Sequence, residues 1–326
     1  MVVNVKALNV KTVADPYSTS SSSVDAKAGL SALSLRDADW SETGPDAFFL
    51  VVNGVVALFA AAVWLTGALP TPASVALLEP VALARIAGVN WAIMAAAYGG
   101  YHWAFFGGGF AKLFNAAPTK FNPAPYDKGQ LTREVALTTL SMLFGSCYTA
   151  LAWWGAGKGL WLGGRLPDAN DFQGGSGFLF TFCASFILLG LWSDFHFYIV
   201  HRALHVPFLF KNVHRVHHLS KNPGPWSGLS MHPVETITYL SKVLLPLIIP
   251  SFHPVHFLFM LYNATLMPIP GHSGHEELLG NEYHWIHHHT YLHNYGSPAV
   301  PLDKLFGSHK LLPKAEKEVA VGNKKE

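Results

Sequence analysis

Between residues 47 and 193 the chain passes through four stretches that contain no Asp, Glu, Lys or Arg: Ala47 to Leu69, Ile86 to Phe110, Val135 to Gly157 and Gly177 to Ser193. About 20 apolar residues in a helix, rising 1.5 Å each, cross the roughly 30 Å hydrocarbon core of a bilayer. Each stretch is therefore predicted as a transmembrane helix, and the fourth is predicted to continue as a helix beyond the bilayer. Composition agrees, with 50% hydrophobic and only 13% charged residues, against about 25% charged in soluble proteins. The formal charge of +2 says little about partners, and no polybasic block suited to nucleic acid is present, so none is expected as a partner.

The fold class expected is all-α. It comprises a polytopic membrane protein with about four transmembrane helices, a re-entrant helical hairpin and a cytosolic histidine-rich helical cap. Residues 1–46 are polar, with the run "STSSSS", and are expected to form a disordered tail. Lys6 and Lys11 are followed by no apolar run, so this segment does not read as a secretory signal. Anchor helices occupy 47–176, a histidine-rich region 177–312 and a charged tail 313–326. Cys147 and Cys183 both lie in apolar runs; they are expected to be small buried hydrophobes without a disulfide.

Basic residues in short loops orient the spans. The loop 111–133 carries Lys112, Lys120, Lys128 and Arg133 against Asp127, and 201–230 carries Arg202, Lys211, Arg215 and Lys221 with no acid. The loop 158–176 is balanced, Lys158 and Arg165 against Asp168 and Asp171. Both basic segments are thus assigned to the cytosol, and after four crossings so is the N-terminus. The remaining apolar stretch, Thr236 to Pro270, is interrupted by Pro246, Pro250 and Pro254. Two arms of about fourteen residues reach only about 21 Å, which favours a hairpin that enters and leaves on the cytosolic side.

Histidines make the same demand. The chain has 18 of them, nearly as many as its 22 Lys and Arg. After the fourth span come "HRALH" (His201, His205), "HRVHH" (His214, His217, His218), "MHPVE" (His232, Glu235), "GHSGH" (His272, His275) and "HWIHHH" (His284, His287, His288, His289). Spacings of three and four put side chains on one helix face, so each cluster can present two or three imidazoles to one point. Imidazole suits iron, zinc, copper and nickel, and so many nitrogens exceed a four-coordinate zinc site. Two metals with four to five imidazoles each fit the count. Such a shared centre requires every cluster on one membrane face, which a single crossing at 236–270 would forbid.

Other histidines have plainer readings. His102 is expected as a hydrogen-bonded core residue, and His253 and His256 as structural residues of the bend. His196 has Asp194 and Tyr198 beside it, yet a ligand role is disfavoured. His293 and His309 are read as surface residues or neighbours of ligands. His289 faces about 100° away from His288 and ranks below it.

The pattern HxxxH, HxxHH, then a later HxxHH with Asn-Tyr-Gly and an aspartate before Leu-Phe-Gly resembles the fatty acid hydroxylase and sterol desaturase superfamily of integral membrane non-haem di-metal oxygenases. Here it reads "HRALH", "HRVHH", "HWIHH", "NYG" at 294–296 and "LDKLFGS" at 302–308. The resemblance covers roughly residues 190–309. "HPVE" and "GHSG" resemble the sterol-modifying branch, with its C-4 methyl oxidases and C-5 desaturases.

That resemblance implies a catalytic region at 177–312 holding two irons, with zinc an alternative metal. With O2 and external electrons it would hydroxylate, demethylate or desaturate a lipid, a sterol or sterol precursor first. Squalene epoxidation and fatty acyl, sphingoid or carotenoid hydroxylation use the same metal chemistry. The expected ligands are His201, His205, His214, His217, His218, His272, His284, His287 and His288, with His232 as a candidate tenth or a partner of a ligand. Asp194, Glu235, Asn294 and Asp303 are candidates to accept imidazole N–H groups, and helix capping or loop structure is their plainer role. The electron donor would be a cytochrome b5 or a ferredoxin with its reductase, and the membrane the endoplasmic reticulum. The rivals from other classes are a metal transporter and a non-catalytic scaffold. Transporter sites lie near mid-membrane, whereas these clusters follow the spans.

Overall fold

The computed structural model describes residues 47–114, 127–161, 176–249, 253–275 and 282–310. Among them every regular element is helical, apart from one isolated bridge between Ser297 and Val300. The expected tails 1–46 and 313–326 lie outside the described residues, as do 115–126 and 162–175 within the two loops used for orientation.

Among the described residues six helices precede the cap: α1 (Ala47–Leu65), α2 (Pro72–Ala76), α3 (Pro80–Phe106), α4 (Gly109–Phe114), α5 (Gln130–Gly157) and α6 (Ser176–Leu204). Their ends follow local chemistry. Thr71 caps α2 through the Ser74 N–H. Pro80 opens α3, where no amide hydrogen is needed. Of the described helices, α3, α5 and Phe180–Leu204 of α6 are long and apolar enough to cross a membrane. The first predicted span is the shorter apolar helix α1. Leu58, Leu65 and Phe180 are 73%, 82% and 74% exposed. Apolar exposure on this scale around a bundle suits lipid rather than water.

One correction concerns the thiols. Cys147 and Cys183 are free, as expected, but exposed rather than buried. On a lipid-facing helix an apolar neighbourhood in sequence does not imply a place in the core.

Contacts fix which ends of the helices meet. Trp64 near the end of α1 packs edge-on against Trp153 near the end of α5 and against His253. Phe182 near the start of α6 meets His253 as well. At the opposite end, Phe106 closes α3 against His275, Gln130 at the start of α5 donates to Asn222 O, and α6 delivers His201. Inside the bundle Asn263 donates to Asn53 Oδ1 (3.1 Å) and accepts from Ser193 Oγ (2.8 Å), while Asn90 donates to Thr149 Oγ1 (3.2 Å). Such pairing is what a polar group requires where water is excluded.

After α6 come α7 (Pro207–Asn212) and two 3-10 helices, His214–Leu219 and Pro225–Leu229. A polar stripe on α5 holds this segment down. Gln130, Thr138 and Ser141 donate to the carbonyls of Asn222, Trp226 and Leu229 at 2.9, 2.7 and 2.8 Å. The apolar stretch then forms α8 (Pro233–Leu240), a 3-10 turn (Ser241–Leu244) and α9 (Leu245–Ile248), and returns through α10 (Pro254–Leu266) and α11 (Pro268–Gly271). It leaves and rejoins the histidine end: Glu235 touches His214 and His272 touches His217. His253 and His256 cap α10 reciprocally at the bend. Helix α10 is predominantly apolar and buried from Pro254 to Thr265, as a central helix should be. Finally α12 (Glu282–Thr290) and α13 (Leu302–Leu305) complete the cap.

Candidate metal centre

Nine imidazoles converge at the cap end of the bundle, and they do so in two groups. His201, His205, His214, His218 and His287 form one; His217, His272, His284 and His288 form the other. Within each group the ligating nitrogens lie within 4.8 Å of one another. These are the nine expected ligands. His232 is in neither group; it caps α8, its Nδ1 accepting from the Val234 N–H at 3.2 Å.

The boxes do not each serve one point, as helical spacing suggested. "HRVHH" is a 3-10 helix, so its side chains follow a tighter period than α geometry. His214 and His218 go to the first group and His217 to the second. In α12, His284 and His288 share one face while His287 turns to the other group. Both three-histidine boxes therefore bridge the two groups and lock them together.

The hydrogen bonds set the tautomers. His201 Nδ1 donates to Tyr295 O (2.7 Å), His287 Nδ1 to His293 O (2.7 Å) and His272 Nδ1 to Pro268 O (2.9 Å). A carbonyl only accepts, so each of these neutral rings carries its proton on Nδ1 and leaves a lone pair on Nε2. His214 Nδ1 meets Glu235 Oε1 at 2.7 Å. The Nε2 atoms then face one another: His201 with His214 and His214 with His218 at 3.1 Å, His218 with His287 at 3.2 Å. In the other group His272 Nε2 faces His217 Nε2 at 3.2 Å and His284 Nε2 at 2.9 Å. Both ring nitrogens of His288 are buried without a protein hydrogen bond. Lone pairs that converge in a buried place repel unless a cation lies among them. The residues present fit metal ions.

Burial keeps the rings neutral. It pushes His214, His217, His218, His284, His287 and His288 well below the ordinary imidazole value, and adjacent imidazoles add to the shift. His272 is lowered to about 4, chiefly by burial. Neutral imidazole is the ligating form.

The carboxylates and the amide divide by task. Glu235 meets an imidazole directly. Asp303, fully buried, accepts from Tyr295 N (2.9 Å), Gly296 N (2.7 Å), Ser308 Oγ (2.6 Å) and Tyr283 Oη (3.0 Å). Asn294, at φ 57°, donates to Tyr283 O and Lys310 O and accepts from Lys310 N. Among the described residues neither Asn294 nor Asp303 bonds an imidazole. They clamp the loop whose carbonyls, at His293 and Tyr295, do so. At Gly296 a Cβ would stand 3.2 Å from Asp303 Oδ2 and 3.1 Å from the Tyr198 ring, a tight fit for both neighbours. Asp194 accepts from Ser297 Oγ (2.7 Å) and likewise bonds no imidazole. The orienting carbonyls of Pro268, His293 and Tyr295 escaped the sequence reading because a carbonyl is present at every residue.

Other histidines stand apart from both groups. His196 Nε2 lies 3.0 Å from Ser241 Oγ, His289 stacks on Trp285 and His102 on Phe106. His293 Nδ1 meets Thr290 Oγ1, His309 packs beside Tyr283, and His275 beside Phe105 and Phe106.

An all-helical bundle with helices of membrane-spanning length, capped by two buried polyhistidine groups, defines the class: a membrane protein with a site able to hold metal ions. Residues 186–308 match the sequence model of the fatty acid hydroxylase family. A putative Δ(7)-sterol-C5(6)-desaturase of Arabidopsis thaliana is 32% identical over 147 residues, 43% of this chain and 51% of the relative. A putative methylsterol monooxygenase of Dictyostelium discoideum is 32% identical over 143 residues, 40% and 50%. Lathosterol oxidase of Rattus norvegicus is 28% identical over 192 residues, 56% and 62%. The matched part thus spans about half to three-fifths of these relatives, all of the sterol-modifying branch. No solved structure matches the chain. The family and the buried histidines together point to a non-haem iron centre.

Proposed function

We propose that this chain is a membrane-bound oxygenase that oxidises a lipid, a sterol or sterol precursor first, at a centre of two irons. The observation that carries the reading is the division of nine buried imidazoles into groups of five and four. Two irons bound there would use dioxygen and electrons from an external donor to attack an unactivated C–H or C=C bond. The chain's own work is to hold and orient. His201, His205, His214, His218 and His287 hold one ion, and His217, His272, His284 and His288 the other. Glu235 and the carbonyls of Pro268, His293 and Tyr295 keep Nδ1 protonated and Nε2 free. The apolar helices keep water away and give the lipid a place beside the histidines.

Supporting the sterol assignment are the relatives' activities and "HPVE", whose glutamate meets His214. Electrons come from a cytochrome b5 or a ferredoxin with its reductase. The histidine face and the N-terminus lie on the cytosolic side of the endoplasmic reticulum, supported by Arg202, Lys211, Arg215 and Lys221 around the cap. Sterol profiling of cells with and without the chain tests the proposal. A sterol precursor should accumulate in its absence and clear on return of the wild-type chain, but not of His217→Ala. An unchanged sterol profile would contradict the substrate assignment.

A further inference from the structure

Arg202 orients the chain only as a positive charge, a service that lysine would perform equally. Its surroundings use more than the charge. It follows the ligand His201 in the last turn of α6 and is half-buried. One guanidinium N–H donates to the Tyr198 hydroxyl, a turn back on the same helix. The Cζ lies 5.7 Å from the centre of the Tyr198 ring, 5.8 Å from that of Tyr295 and 5.4 Å from that of Phe306. All three fall within the roughly 6 Å over which a cation is attracted to an aromatic face. Tyr198 and Phe306 also stack on each other at 5.8 Å.

Tyr198 and Arg202 belong to α6, whereas Tyr295 and Phe306 lie near the two ends of the segment 294–308. That segment closes on itself through Asn294 N and Ser308 O (2.8 Å) and around the Asp303 carboxylate. The guanidinium therefore joins the helix to both ends of the segment. Tyr295 carries the effect inward. Its carbonyl accepts from His201 Nδ1 at 2.7 Å, and its ring packs against those of His205 and His287 at 4.9 and 5.5 Å. These are three histidines of the group of five, and none belongs to the group of four. A planar, delocalised fork can bond a hydroxyl and lie over rings at once; a compact, strongly hydrated ammonium does not replace it.

We infer that Arg202 is a positioning residue for the five-histidine group: by clamping the segment 294–308 to α6 it fixes Tyr295 against His201, His205 and His287. This rests on the reading that the two groups hold metal ions, and it ties one side chain to one of them.

The test uses the full chain, purified in detergent, stripped of metal and titrated with cobalt(II), whose visible absorption reports each site without turnover. His217→Ala isolates the five-histidine group and His205→Ala the four-histidine group. Adding Arg202→Lys, which keeps the charge, should weaken cobalt binding about 10-fold in the His217→Ala chain, the scale of losing an orienting partner. The absorption of that site should change with it. In the His205→Ala chain the same substitution should leave affinity and spectrum as they were. Phe306→Leu, which removes one wall of the clamp, should weaken the five-histidine group alone and by less. Unchanged binding on adding Arg202→Lys to the His217→Ala chain would overturn the inference. So would equal weakening of both groups, which would mark Arg202 as a support of the fold at large. A wild type that takes up no cobalt would overturn the metal reading itself, and the inference with it, so the two fail separately.

Discussion

Glu235→Ala probes how the fold holds the first histidine group. The carboxylate meets His214 Nδ1 at 2.7 Å, with the side chains 2% and 1% exposed. Removing it strands a buried N–H, a cost of roughly 1–3 kcal/mol to the fold. It also frees the His214 ring, whose Nε2 lies 3.1 Å from those of both His201 and His218. Loss of such an orienting partner lowers metal affinity about 10–100-fold. The assay is iron per chain by mass spectrometry, paired with thermal unfolding in the same detergent. Glu235→Ala should lose iron from the five-histidine group first and unfold at a lower temperature. Glu235→Gln, which retains an acceptor oxygen, should recover most of the unfolding temperature. Full iron and an unchanged Tm in Glu235→Ala would show that the carboxylate does not hold the His214 ring.

Three further outcomes follow from the same geometry. Asp303→Ala strands the Tyr295 and Gly296 amides and two hydroxyls; Tm should fall by the equivalent of about 2–4 kcal/mol, and iron should fall with it through His201 and His287. In Gly228→Ala the new Cβ would stand 2.7 Å from Pro268 O, the acceptor for His272; iron held by the four-histidine group should drop while the other group keeps its ion, as resolved by Mössbauer spectroscopy. Finally, the metal-free protein should lose stability as pH falls. The folded His272 titrates at about 4 against an ordinary 6.5, so between those values the unfolded chain binds more protons. Stability should be level above about 6.5 and decline from there toward about 4; a urea midpoint that rises on acidification over that range would contradict it.

The long apolar helices were legible because lipid imposes a simple rule on composition, although the first of the four expected spans is a shorter helix than the other three. The uncharged runs appear as α1, α3, α5 and α6, with boundaries moved by local chemistry: α3 begins at Pro80 and α6 runs on to Leu204. Which face of a span meets lipid was not legible, since Cys147 and Cys183 sit among the same residue types whether inward or outward. The histidine set was conspicuous from spacing, but its division was not. That depends on "HRVHH" winding as a 3-10 helix, and on the Pro268 and Tyr295 carbonyls, which no residue type announces. Asp303 and Asn294 stood out as side chains, yet the structure uses them on the loop and only through it on the rings.

The nine histidines are proposed to hold two ions as a five and a four. Iron per chain and its Mössbauer spectrum, measured on purified wild type and on His217→Ala, test it most directly. Two irons are expected in the wild type, and in His217→Ala the loss of the one held with His272, His284 and His288 while the other stays. A single iron in the wild type, or two retained in His217→Ala, would contradict it.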